Sequence, residues 1–164
     1  MGGRGVAWRR QAYETIQGVT AVHIALGVAV VVVNLAAGAW GAWGWWRERP
    51  VAGFWPLLRS GQALVAVQAL LGGVLLLAGD ELPPLHLVYG LTPLGVAYFA
   101  EQLRVVSAQT ELDRRGLEGR EAVAALSEEE QRQLVRAIVR REIGVMAASA
   151  LVVALLGARA SEWL

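Results

Sequence analysis

The sequence predicts an all-α integral membrane protein: a four-helix bundle with a soluble helical connector between its third and fourth helices. Three observations lead there. Of the 164 residues, 55% are hydrophobic and the mean hydropathy is +0.44, too apolar for an ordinary soluble domain. The apolar residues fall in long blocks, and a helix of about 20 such residues crosses a ~30 Å hydrocarbon layer. The charged residues gather between these blocks.

The first block gives a span over about 18–46, ending in a tryptophan-rich stretch, and Arg47-Glu48-Arg49-Pro50 separates it from a second span over about 54–78. The third span, about 84–106, opens at Pro83-Pro84, where proline is tolerated at a helix start. Pro93 inside it frees the carbonyl of Tyr89 and predicts a kink. The fourth, about 133–158, has a short apolar part from Ile143 but runs back without a break through Gln131–Arg140. Ser127 followed by Glu130 is a capping box, so one long helix starts in water and ends in lipid. The connector, 107–132, is charged from Glu111 to Glu130 and broken by Gly116 and Gly119, which predicts two short helices.

The loops after spans one and three carry most of the arginines, among them Arg47, Arg49, Arg114, Arg115 and Arg120. The positive-inside rule therefore places both loops in the cytoplasm of a multi-pass plasma-membrane protein, with the termini and the acidic turn Asp80-Glu81 outside. Trp40, Trp43, Trp45, Trp46 and Trp55 collect at the cytoplasmic end of spans one and two and read as an interfacial belt.

A net charge of +1, from 15 cationic and 14 acidic residues, gives no electrostatic support for nucleic-acid binding. Cysteine is absent, which excludes disulfides, thiolate metal sites, iron–sulfur clusters and covalent haem attachment through C-x-x-C-H. No P-loop, H-E-x-x-H, nucleophile elbow or dinucleotide fingerprint occurs.

Chemistry concentrates instead on the two histidines. Each is followed four residues later by glycine, in His23-Ile-Ala-Leu-Gly27 and His86-Leu-Val-Tyr-Gly90. Positions i and i+4 share a helix face, so Gly27 and Gly90 each leave bare backbone one turn from an imidazole, where a flat macrocycle can lie. Spans one and three run in the same direction, and the histidines sit about five and two residues into them, a mismatch of only ~4.5 Å along the axis. Two neutral imidazoles on facing helices are good axial ligands for a non-covalent haem iron, and bis-histidine ligation suits electron transfer rather than oxygen binding. Arg9 and Arg10, on the same side, match haem propionates. Asn34, eleven residues after His23, points into the bundle as interhelical glue.

The residues Gln68-Ala-Leu-Leu-Gly72-Gly73, then Leu82-Pro-Pro-Leu-His86-Leu87, with His23 leading an aliphatic run to an aromatic and arginine end, resemble the heme A synthase family over roughly residues 20–106. That corresponds to about half of an eight-helix family member. The resemblance implies a haem b site with His23 and His86 as axial ligands, the helix from Ile143 standing in for the family's first. The chain departs from the family at Thr20 and Ile24, where the family carries glutamate and arginine, and in lacking the loop cysteines. Oxidation of a haem methyl group is therefore not expected, and the chain reads as an electron-transfer or redox subunit rather than an enzyme, working with quinone or a respiratory-complex partner. A homodimer would supply a second bundle. Two other readings stay open: a cofactor-free accessory or assembly subunit packed through Gly27, Gly38, Gly41, Gly72 and Gly73, and a chlorophyll held by the same histidines.

Overall fold

In the computed structural model the described residues are 3–79 and 83–161, apart from the side chains of residues 3–13 and 16. They form five helices: α1 (Gly3–Trp46), α2 (Phe54–Leu77), α3 (Pro84–Arg114), α4 (Gly119–Ala124) and α5 (Glu128–Ala160). Three carry stretches long and apolar enough to cross a membrane, Gln17–Trp46, Phe54–Leu77 and Glu128–Ala160. α3 has the length, but His86, Thr92, two prolines and Glu101 dilute its apolar character.

The expected boundaries hold for α2 and shift elsewhere. α1 begins far ahead of residue 18, since nothing between Gly3 and Gly18 breaks a helix. Pro93 is buried inside α3 without ending it, and α3 runs past residue 106 to Arg114. It stops at Gly116 (φ 65°), a left-handed residue that lets the Leu117 amide reach back to the Leu112 carbonyl at 3.0 Å. The connector thus holds one short helix rather than two, because its first half is consumed by α3. The capping box is present: the Ser127 hydroxyl accepts from the Glu130 amide at 3.4 Å and the Glu130 carboxylate accepts from the Ser127 amide at 2.8 Å.

The four long helices pack side by side, α1 against α2 and α5, and α3 against α5, with α2 and α3 touching little. Neighbours run antiparallel. Along α1 and α2, Asn34 meets Gly61 and His23 meets Gly72; along α1 and α5, Gly38 meets Leu151 and Gly157 meets Val31. The glycines set this intimacy. A Cβ built on Gly41 would come within 2.8 Å of the Ala147 Cβ, and one on Gly38 within 2.6 Å of Leu151, so only a bare Cα lets α1 approach α5 this closely. The densest core follows from that approach: Ala37, Phe54, Leu58, Ala100, Ile143, Met146, Ala147 and Ala150 form one buried cluster.

Asn34 is inside, as expected, at 2% exposure, and its carboxamide lies against Gly61 of α2. Its hydrogen bond nevertheless goes to its own helix, Nδ2 donating to the Val30 carbonyl at 2.9 Å. One end of the molecule is held by charge and aromatic contacts. Glu101 of α3 accepts from Arg59 and Gln62 of α2 and from Arg104 at 3.0 Å, while Arg104 also approaches Glu142 of α5 at 4.0 Å. Both arginines stack near the Trp55 ring, at 6.0 and 5.7 Å. Nearby, Arg140 pairs with Glu48 at 2.6 Å and lies over Trp45.

Candidate functional site

At the opposite end, the two histidines come together. The ring centroids of His23 and His86 are 6.1 Å apart, with the planes inclined at 52°. The separation is within the range of ordinary ring–ring contacts, about 4.5–7 Å, and is also close to the roughly 6 Å between two imidazoles bound on opposite sides of one metal ion at about 2 Å.

His86 enters from the first turns of α3, and its direction is set by α5. A helix leaves its last carbonyls without intrahelical partners, and the carbonyl of Ala160 is one of these. His86 Nδ1 lies 3.0 Å from that oxygen. A carbonyl only accepts, so Nδ1 carries the proton and Nε2 keeps its lone pair, the arrangement that an orienting backbone carbonyl gives a ligating histidine.

His23 is held differently, by Gln68 of α2. The amide nitrogen of Gln68 donates to the His23 backbone carbonyl at 3.0 Å and lies 3.3 Å from His23 Nε2. The two remaining polar atoms of this contact, His23 Nδ1 and Gln68 Oε1, are buried with no hydrogen-bond partner. Each such stranded group costs about 1–3 kcal/mol.

A cleft of about 200 Å³ opens between the rings, lined by His23, Gln68, Gly72, Gly73, His86, Gly90 and the leucines 76, 87 and 91. The two expected glycines part company here. Gly90 lines the cleft with nothing within 4 Å of where its Cβ would stand, and Gly73 is equally open. Gly27 instead makes room for Gln68, whose amide nitrogen would be 3.2 Å from a Cβ there. The bare surface against His23 comes from Gly72, where a Cβ would stand 3.2 Å from the ring's Cε1. Sequence spacing finds i+4 neighbours on one helix but not a neighbour across two. The cleft is smaller than the ~300–1,000 Å³ of most cofactor pockets. The cleft opens past Gly73 and Gly90 beside Leu76 and Leu91, which are 45% and 54% exposed.

Arg9 and Arg10 lie on α1, but their side chains lie outside the described residues, and Asp80 and Glu81 lie outside them altogether. A cation that sequence spacing did not single out, Arg159 of α5, reaches the same end and sits 5.9 Å from the Tyr89 ring centroid. Among the described residues no group of three or more histidine, cysteine, aspartate or glutamate side chains lies close enough together to hold a metal ion. Compared with family models, curated proteins and solved structures, the chain has no significant match.

Proposed function

We propose that this chain is a haem b-binding, four-helix membrane protein in which His23 and His86 are the axial ligands and which passes electrons within the membrane. The observation that carries the reading is the 6.1 Å imidazole pair, contributed by two different helices at one end of the molecule and opening on a glycine-floored cleft. In this reading α3 crosses the bilayer with α1, α2 and α5. Its Glu101 and Arg104 are tolerable there because Arg59, Gln62 and Glu142 engage them beside the Trp55 ring. The arginine-rich loops beyond Trp46 and Arg114 face the cytoplasm, and the haem lies toward the other surface.

The residues present fit the group in three respects. His86 Nδ1 is tied to the Ala160 carbonyl, which leaves its Nε2 for a metal; His23 Nε2 faces only the Gln68 amide nitrogen, at 3.3 Å; Gly73 and Gly90 leave the flanks of the cleft unfilled. When bound, the haem supplies a one-electron redox couple. The chain's own contribution is to hold two imidazoles at the right separation and to exclude water with Leu76, Leu87 and Leu91. Quinone or a redox protein in the same membrane is the partner class this implies, and the likeness to heme A synthases is part of the same proposal.

An absorption spectrum of the detergent-purified protein, expressed with ample haem and recorded before and after dithionite, tests it. A Soret band that shifts and a sharp α band, both lost in His23→Ala and His86→Ala while the helices remain, are the expected results. Unaltered haem in both variants sinks the bis-histidine reading. A colourless protein moves the reading to a cofactor-free accessory or assembly subunit. Red or near-infrared absorption identifies chlorophyll instead.

A further inference from the structure

We infer that Gln68 is a positioning residue for His23: it fixes the imidazole as the Nδ1–H tautomer and holds the place of a ligand at Nε2. The positions of the Gln68 and His23 atoms fix the assignment. Gln68 places one end of its carboxamide 3.0 Å from the His23 carbonyl oxygen and 3.3 Å from His23 Nε2. Two oxygens do not approach to hydrogen-bond distance without a proton between them, so the atom facing the carbonyl is the NH2 nitrogen and not Oε1. One of its hydrogens goes to the carbonyl and the other points to Nε2, which must then accept. A neutral ring that accepts at Nε2 carries its proton on Nδ1.

This explains why Nδ1 and Oε1 are the stranded pair. Both are left over once the Gln68 nitrogen has been committed to two acceptors on His23. Gly27 and Gly72 complete the device from either side. Gly27 lets the amide lie against α1, and Gly72 lets the ring stand upright, each with 3.2 Å where a Cβ would be. His86 reaches the same tautomer by a different route, through the Ala160 carbonyl. Both imidazoles are therefore set with the Nε2 lone pair available, one bare and one covered by a single N–H. A metal-centred ligand takes His23 by displacing that N–H, while the amide stays tied to the backbone carbonyl of the residue it releases.

The ligand part of this inference rests on the haem reading; the tautomer part does not. The test is therefore made on haem-free, detergent-purified full-length protein labelled with 15N-histidine, in which two residues give the whole spectrum, with the His86→Ala protein assigning His23. The expected result is a protonated Nδ1 and an unprotonated Nε2 on both rings. Gln68→Met, close in shape but without a donor, should convert His23 to a mixture with the Nε2–H form and leave His86 unchanged. An Nε2–H signal for His23 in the unsubstituted protein, or a His23 spectrum untouched by a folded Gln68→Met, overturns the role given to Gln68. If Gln68→Met does not fold, the unsubstituted protein still decides. A protein that shows both Nδ1–H tautomers but never takes up haem keeps Gln68 as the positioning residue and removes haem as the ligand.

Discussion

The Cα of Gly72 on α2 faces the imidazole of His23 on α1 so closely that a Cβ there would stand 3.2 Å from the ring's Cε1. The bare backbone of one helix thus sets where a side chain of the next stands. Gly72→Val should push the ring aside and, if the proposed haem is held there, weaken its binding about 10–100-fold, as removal of groups that orient metal ligands does. Haem titration followed at the Soret band, with circular dichroism to confirm folding, checks this.

Gly73 and Gly90 make the opposite case, because nothing lies within 4 Å of a Cβ at either position. Gly90→Leu and Gly73→Leu should leave the helices folded and the His23–His86 pair in place, yet fill the space a macrocycle needs. Loss of the Soret band from a protein with unchanged helicity is the expected outcome. Undiminished haem in both would mean that any macrocycle lies elsewhere.

Packing of α1 on α5 depends on Gly38 and Gly41, which have no room for a side chain. Gly41→Ala brings a methyl within 2.8 Å of the Ala147 Cβ, and overpacking of this kind costs about 1–3 kcal/mol. Gly18→Ala, where nothing lies within 4 Å, should be neutral or slightly stabilising. Thermal unfolding of the two variants side by side in one detergent measures the difference.

Glu101 serves three donors on two helices, whereas Arg59 serves mainly Glu101 and the adjacent Gln62. Glu101→Ala should therefore destabilise more than Arg59→Ala. Because Arg59 is 48% exposed, their coupling is screened and should be about 1 kcal/mol or less in a double-mutant cycle. The visible spectrum should not change in either variant, since the network lies at the end away from the histidines.

At the start of α5, Ser127→Ala removes one half of the capping box and should cost about 1 kcal/mol. Hydrogen exchange should show faster exchange confined to the first turn, Glu128 to Gln131, with the membrane part of α5 unaffected.

Much of the architecture was legible because it depends on residues near one another in the chain. Ser127 and Glu130 are three apart, and their reciprocal bonds form as the local pattern requires. The run from Phe54 to Leu77 needs only its composition to be read as a helix able to span a membrane. That His23 and His86 lie at the same end followed from counting helices, since helices separated by one antiparallel neighbour start at the same end; that their rings approach to 6.1 Å did not. The connector was harder: Gly116 read as a break, but that α3 continues without interruption past residue 106 up to it did not, because the change from apolar to charged residues does not end a helix.

The sequence by itself determined the all-α class, the cap on α5 and a set of long apolar helices, four of them expected to span and three long and apolar enough to do so, all consequences of local hydrogen bonding and apolar length. Only the tertiary structure decided which face of each helix meets which neighbour. An apolar span is hydrophobic all round, so its periodicity leaves rotation about its own axis open, and close packing of glycine against its neighbours settles it. That rotation put Gly27 beneath Gln68 rather than in the cleft, set Gly72 against His23, drew His86 to the last carbonyl of α5, and joined Arg59 to a glutamate 42 residues away.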